Sequence, residues 1–490
     1  MTLSLASIAI LGSRDLRIPT YDRNAVSIGI VHFGPGAFHR VHQACYIDDV
    51  LHTDPRWGIC EVSLHSTGVR DALAPQGGLY TIAILDEQSS FRVIGSVKEV
   101  LVAPESPGAV LERMTAPTTR IVSATITEKG YCLNKEGGLD FSHPDIAHDL
   151  KNLEAPKTFV GFLARALRLR HDRGLEPFNV ISCDNLADNG HRLRRAVLEF
   201  VRSNDPSLAP WVEKEVPFPC TMVDSITPAT DDALRARVKD ALGVEDLWPV
   251  QREFFSQWVI ENTLRGPQPD WAAVGVTVTD DVAGFERAKL RLLNGAHSTL
   301  AYTGSLAGYE TVSSAMGDQA LASFVRRMMM EDIRSGLAAP QGLDLEQYIE
   351  AVLRRFRNPT IRHLLSQIAW DGSQKLPFRI LPTIAENLAA DRSVARLCVP
   401  LAAWFHFIRR MTRDQRQIMD PLAAQLSELA NRCSGDAAGD VSLFLGLEKV
   451  FNADLARNQI FRAALENAYA RLAAVESPAQ LGEALAGISA

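Results

Sequence analysis

The stretch IGIVHFGPGAFHRVHQ, residues 28–43, reads as a strand, a glycine turn and a helix in succession. Gly34 and Gly36 stand where a dinucleotide-binding βα turn carries its first two glycines. The first permits the tight turn. The second lets the backbone approach a pyrophosphate at the start of the following helix. Phe33, Gly34, Gly36, Ala37 and Phe38 are therefore the expected cofactor-binding positions. Arg40, in the first helical turn, is expected to add positive charge to the phosphate site. His39 replaces the third glycine, so the fingerprint is incomplete, and a bare two-glycine turn also occurs in βα units that bind no nucleotide. An acidic residue for the ribose hydroxyls belongs about 20 positions further on, at the next strand end. That end reads Ser63, Leu64, His65, with Glu61 inside the strand. NAD is the expected cofactor, but this signal does not separate it from NADP.

Outward from this turn, the first half alternates apolar β-branched runs with helical patterns. SIGIVHF (27–33), WGICEVSL (57–64), FRVIGSV (91–97), RIVSATIT (120–127), FNVISC (178–183) and VGVTVTD (274–280) read as strands. Most are apolar throughout, as strands buried on both faces of a parallel sheet are. AFHRVHQACYIDDVL (37–51) and PKTFVGFLARALRLRH (156–171) read as helices between them. This is an α/β pattern, a Rossmann-type domain over residues 1–284. Beyond it strands disappear and helical periodicity dominates, giving a mostly α-helical domain over 285–490. A cleft between the two is the expected place for a small ligand.

Composition agrees with two ordinary soluble domains: 490 residues, 46% hydrophobic and 22% charged. A net charge of −7 leaves no basic footprint, so nucleic acid is not an expected partner. The N-terminal MTLSLASIAILGSRDLR lacks the basic start of a signal peptide, and no run approaches membrane-spanning length. Seven scattered cysteines without metal-type spacing suit reduced thiols in a cytoplasmic protein, and no metal site is expected.

KLRLLNGAH (289–297) is the polar anomaly. Its leucines mark a buried helix, yet Lys289, Asn294 and His297 interrupt it. With α-helical geometry and Lys289 at zero, His297 falls near about 80° and Asn294 near about 140°, on one side. Lys289 and His297 are then about 12 Å apart along the axis, a spacing that flanks a small ligand. A solvated stripe on an amphipathic helix is the alternative.

Further polar clusters follow expected strands. TITEKGYC (125–132) carries Glu128 and Lys129, SCDNLADNGH (182–191) carries Asp184 and Asn185, and TMVDSITPAT (221–230) carries Asp224. Ligands of open α/β sheets gather at such strand ends, although each cluster also fits ordinary turn chemistry. A lysine base, amide donors and a nicotinamide site are the inventory for metal-free hydride transfer at a secondary alcohol. Lys289 would have to lose much of its free pKa of about 10.4, through burial, a cationic nicotinamide and a place near the helix N-terminus.

The set GPGAFHRVH, TITEKGYC, SCDNLADNG, MVDSITP, QWVIEN, KLRLLNGAH and DGSQKLP, in order along nearly the whole chain, resembles the mannitol 2-dehydrogenase family of long-chain polyol dehydrogenases. The resemblance implies a Rossmann-type domain, a helical domain and no catalytic metal. It implies Lys289 as general base, Asn185 and Asn294 as the oxyanion site, and His297 as a substrate-orienting group. Glu286 matches a glutamate linked to proton exchange with solvent, and Asp224 and Lys375 fall on substrate-lining positions. Monomeric members make a monomer the expected state.

Departures from the mannitol-oxidising pattern bear on substrate. Gln367 stands where those enzymes tend to have arginine, and Lys129 where they tend to have glycine. DGSQKLPFR, ending in Arg379, looks more like the fructuronate reductase (D-mannonate oxidoreductase) branch. Lys129 or Arg379 would pair with a hexuronate carboxylate, or else be exposed basic residues. Ser225 replaces an arginine usual in both branches. Reduction of D-fructuronate to D-mannonate is the leading expectation. Oxidation of mannitol or another polyol is the alternative, and a dinucleotide-sensing scaffold is the non-enzymatic one.

Overall fold

The computed structural model describes residues 1–8, 16–86 and 88–488; residues 9–15, within the N-terminal run read above, lie outside the described residues. The chain divides into two compact units, Met1–Ala283 and Gly284–Ala490.

The first unit is built on a five-stranded parallel sheet of β1 (Ile28–Phe33), β2 (Gly58–Ser63), β3 (Val97–Val102), β4 (Ile121–Ala124) and β5 (Asn179–Ser182). Their order is 3-2-1-4-5, with β1 at the centre. Alternate residues feed two cores. Val31, Phe33, Val62 and Val122 pack with Phe159, Phe162 and Leu167 of the helix Phe159–Asp172. Ile30, Ile59 and Ile121 pack with Val41, Ala44 and Ile47 on the other face. Helices on both faces explain why the strands read as unbroken apolar runs.

Several elements depart from the sequence expectation. FRVIGSV is not one strand. Ser90–Ile94 runs antiparallel to Tyr80–Leu85 in a second sheet, and Val97 opens β3. The break falls at Gly95, whose amide donates to Asp48 Oδ1 (2.8 Å), and at Ser96, whose hydroxyl donates to the Ala44 carbonyl (2.8 Å). RIVSATIT is strand only over Ile121–Ala124; beyond Thr125 the Ile126 and Thr127 amides turn to Asp184, and Thr127 takes φ +62°. VGVTVTD contributes Thr277–Thr279 to a separate three-stranded sheet with Gln257–Glu261 and Thr221–Asp224. AFHRVHQACYIDDVL forms two helices, Ala37–Val41 and Gln43–Val50, divided at His42 (φ −116°, ψ −88°).

In the second unit the described residues form helices, with one isolated β-bridge between Thr311 and Leu364. The buried helix Gly295–Leu306 packs against the 19-residue helix Ala395–Arg413, which in turn packs against Gln459–Leu472. Among the described residues no helix is long and apolar enough to cross a membrane.

Candidate active site

The glycine turn has the predicted character at both glycines, for different reasons. Gly34 has φ +91°, and a Cβ there would lie 2.1 Å from the Thr125 carbonyl oxygen. Only glycine fits between β1 and the end of β4. Gly36 lies at the N-terminus of Ala37–Val41 with φ −71°, and among the described residues a Cβ there would meet nothing nearer than the Gly34 carbonyl at 4.0 Å. Its open side leaves room for a ligand's approach. Phe33 is fully buried between Phe159 and Phe162, while Phe38 is half-buried and stacks on His42 (centroids 5.0 Å apart).

Arg40 is a correction. Its side chain turns into the interior, 1% exposed, and Nη1 donates to the Trp248 carbonyl at 2.8 Å. The guanidinium carbon lies 5.4 Å from the Tyr80 and Trp248 rings, and the group feels the Glu61 carboxyl. The guanidinium is thus held inside the protein by Trp248 and Tyr80.

A polar row crosses the middle of the parallel sheet where apolar residues would be expected. His32 pairs in register with Glu61 on β2 and Ser123 on β4. His32 bonds Ser123 Oγ (2.8 Å) and Thr125 Oγ1 (2.9 Å), and Thr125 in turn donates to the Gly34 carbonyl (2.8 Å). His39 therefore fills the third-glycine position with a ring that covers this row. Where β2 and β3 end, Leu64, His65, Ala103, Pro104 and Lys157 border a cavity of 330 Å³. Sequence reasoning named only the strand end Ser63–His65; the Ala103–Pro104 wall follows the neighbouring strand β3.

The strand-end loops are tied together. Asp184 accepts from the Ile126 and Thr127 amides (3.0 and 2.8 Å) and the Tyr131 hydroxyl (2.6 Å). Burial raises its carboxyl above the ordinary value, while these bonds oppose that rise. Asp184 is thus a brace, leaving its neighbour Asn185 exposed. Lys129 sits exposed on the turn Glu128–Tyr131. Asp224 is buried at the end of Thr221–Asp224, and Ser225 donates to the Phe255 carbonyl (3.0 Å).

The helix carrying Lys289 does not begin at that lysine. It starts at Val282 and winds as a π-helix over Lys289–Asn294 before returning to α geometry at Gly295. Two corrections follow. The face angles assumed α-helical winding, which a π turn changes by taking up an extra residue. Lys289 also lies two turns inside the helix, beyond the reach of the N-terminal dipole effect. Glu286, Lys289 and Asn294 are half-buried, and His297 is 7% exposed.

His297 packs on Phe356 (4.5 Å between centroids) and edge-on to His363 (4.9 Å). Its Nε2 has no hydrogen-bond partner among the described residues. Burial, followed by the nearby His363, Arg379, Arg355 and Lys375, holds its pKa well below the ordinary value, so the ring is neutral. Arg379 reaches the same helix, donating to the Asn294 carbonyl (3.4 Å) and Ser298 Oγ (3.2 Å). Burial lowers Arg379 to about 10, and among the described residues no carboxylate lies within ion-pair distance of it. Lys375, lowered by burial and then by Arg379, donates to the Ile368 carbonyl (3.3 Å).

The DGSQKLP segment explains this convergence. Asp371 takes φ +56°, and a Cβ on Gly372 would lie 2.5 Å from Trp404 Nε1 and Tyr302 Oη. Ser373 N and Oγ bond Asp420 (2.8 and 2.5 Å). Helix Gly372–Arg379 is thereby seated against the buried helix that carries His297. Gln367 is exposed outside this seat. Sequence reasoning missed Arg355 and His363, which carry no local signal among the amphipathic residues around them.

A parallel sheet ordered 3-2-1-4-5 with a glycine turn after its central strand, followed by an all-helical unit, defines a Rossmann-type two-domain protein. The chain belongs to the mannitol dehydrogenase family: residues 28–273 match the Mannitol dehydrogenase Rossmann domain, and 281–473 match the Mannitol dehydrogenase C-terminal domain. It is 42% identical to the D-mannonate oxidoreductase of Escherichia coli K12, over 93% of this chain and 95% of that one. It is 41% identical to a mannitol 2-dehydrogenase of Aspergillus fumigatus, over 94% and 93%. The solved Pseudomonas fluorescens mannitol 2-dehydrogenase, a ternary complex with NAD and D-mannitol, superposes with a TM-score of 0.81 at 36% identity, covering 99% of this chain and 100% of that one.

Proposed function

We propose that the protein is an NAD-dependent oxidoreductase that interconverts a secondary alcohol and a ketone on a sugar acid, with D-fructuronate and D-mannonate as the pair. The observation that carries the hexuronate is the convergence of Arg379, Arg355 and Lys375 on His297, with no carboxylate on Arg379 among the described residues. A neutral polyol offers the Arg379 guanidinium no carboxylate, whereas a hexuronate carboxylate pairs with it in a charge-assisted bond. Asp371 and Asp420 offset part of the charge on Lys375, which makes Arg379 the principal carboxylate partner.

The turn residues fit a dinucleotide: Gly36 has an open side that a Cβ would begin to fill, and a cavity adjoins the ends of β2 and β3. Gly34, Gly36, Ala37 and Phe38 would hold its pyrophosphate end, and Leu64, His65 and Ala103 its adenosine end. When bound, NAD supplies the hydride acceptor for alcohol oxidation and, as NADH, the donor for ketone reduction. Lys289 accepts the hydroxyl proton in oxidation and returns it in reduction, with Glu286 one turn earlier relaying it to solvent. Asn185 and Asn294 donate to the developing oxyanion. His297, neutral and with Nε2 unsatisfied, orients a substrate oxygen. Residues 1–284 and 285–490 take the cofactor-binding and substrate-binding roles. The seven unpaired cysteines agree with a reducing cytoplasm.

Steady-state reduction of D-fructuronate and D-fructose, each with NADH, tests this reading. D-fructuronate is expected to have the larger kcat/KM by about 100-fold or more, the weight of one charge-assisted contact. A preference for D-fructose overturns the hexuronate assignment and favours the mannitol alternative.

A further inference from the structure

Three side chains from two separate segments converge at the start of the 16-residue helix Asn189–Asn204. Asp188 immediately precedes the helix, His191 lies in its first turn, and Cys220 immediately precedes the strand Thr221–Asp224. His191 Nδ1 lies 2.6 Å from Asp188 Oδ1, and Cys220 Sγ lies 3.6 Å from the same oxygen. One donor atom from each residue falls within 4.8 Å of the others. Cys220 and His191 have no metal-type spacing along the chain; their 29-residue separation is closed in three dimensions by the β5–helix–strand connection.

We propose that Asp188, His191 and Cys220 form a binding site for a borderline-soft divalent cation of the Zn²⁺ or Co²⁺ type, separate from the proposed alcohol chemistry. A tetrahedral ion with one sulfur, one nitrogen and one oxygen ligand sets neighbouring donors about 3.3–3.6 Å apart. The Cys220–Asp188 spacing already has this value. The His191–Asp188 pair has to open by under about 1 Å from its hydrogen-bonded distance. Both side chains are more than half exposed, so rotation about their own bonds suffices. Thiolate plus imidazole selects Zn²⁺ or Co²⁺ over Mg²⁺ and Ca²⁺, which take oxygen ligands.

Cys220 is the fixed corner of the site. It is buried, its amide donates to Glu261 Oε2 (2.8 Å), and the backbone amides of Gly190 and His191 bond toward its sulfur. Burial, with the Glu261 and Asp188 carboxylates, pushes the free thiol up to about 12, while those two amides oppose the rise. On binding, the S–H bond breaks, a sulfur–metal bond forms and the proton passes to solvent, with no change of oxidation state. Water completes the coordination from the exposed side.

The test is a titration of the reduced, chelator-stripped full chain with Co²⁺ under anaerobic conditions. The expected result is a near-ultraviolet thiolate-to-cobalt charge-transfer band, with visible bands of tetrahedral intensity, saturating at one equivalent. Zn²⁺ should bleach both and excess Mg²⁺ neither. His191→Ala and Cys220→Ser should each weaken binding by ~10-fold or more, and Cys220→Ser should remove the charge-transfer band. His191→Ala trims an exposed ring, so its folding is checked simply by its circular dichroism melt. Absence of the band at one equivalent, or a band unchanged in both variants, overturns the proposal.

Discussion

The imidazole rings of His32 and His39 lie face to face, with centroids 3.4 Å apart and planes 11° apart. His39 Nε2 is also 3.3 Å from Glu61 Oε1, and all three side chains are at most 1% exposed. Burial lowers His39 to about 3 and His32 well below its ordinary value, and it raises Glu61 to about 7. The stack is therefore held by contact between neutral rings, under the glycine turn that the cofactor is proposed to use.

This array makes stability depend on pH in two opposing ways. Glu61 is raised from 4.5 to about 7, so its contribution is fully present below about 4.5 and lost as pH rises through about 7. His39 is depressed from 6.5 to about 3, so its contribution is present above about 6.5 and lost as pH falls through about 3. Glu61→Gln removes only the first effect. Urea unfolding should show the variant gaining on the parent by on the order of 3 kcal/mol more at pH 8 than at pH 5. An equal difference at both pH values would mean that Glu61 does not titrate in this way.

The two glycines of the turn should separate folding from binding. Gly34→Ala forces a Cβ against the Thr125 carbonyl at a positive φ, and should lower stability by ~3 kcal/mol or more. Gly36→Ala meets no atom of the described residues nearer than 4.0 Å and should melt like the parent. Its affinity for NADH, followed by fluorescence, should nevertheless fall by ~10-fold or more, since the methyl enters the space a pyrophosphate needs. Unchanged NADH binding by Gly36→Ala would remove that position from the cofactor site.

Arg379→Met keeps much of the side-chain volume and removes the charge. It should reduce kcat/KM for D-fructuronate by about 100-fold, or ~2.7 kcal/mol, with a much smaller change for D-fructose. Because Arg379 also bonds the Asn294 carbonyl and Ser298, the D-fructose rate serves as the measure of any disturbance to that helix. Equal losses for both substrates would assign Arg379 to positioning the helix.

Lys289→Ala should lower kcat by about 10²–10⁴-fold, the range for loss of a general base, while NADH affinity stays near the parental value. Stopped-flow measurement of hydride transfer is the direct check. A single-turnover rate equal to the parent's would exclude Lys289 from the proton transfer.

Local pattern determined the architecture and the order of the motifs. Apolar runs of strand length, a strand–glycine–helix passage at 28–43 and the loss of strands after about 284 are short-range signals, and the parallel sheet and helical unit follow from them. Tertiary structure decided where individual polar atoms point. Arg40 turned inward because Trp248 and Tyr80, over 200 and 40 residues away, form its pocket. FRVIGSV split because Asp48 and Ala44 take the hydrogen bonds that would have continued it. The π turn at Lys289–Asn294 is invisible to a periodicity that assumes α geometry. Arg355, Arg379, Lys375 and His363 come to His297, and Cys220 to His191, only through packing of distant segments. Hydrophobic periodicity is a property of neighbours along the chain, whereas charge and ligand convergence depends on distances that folding alone closes.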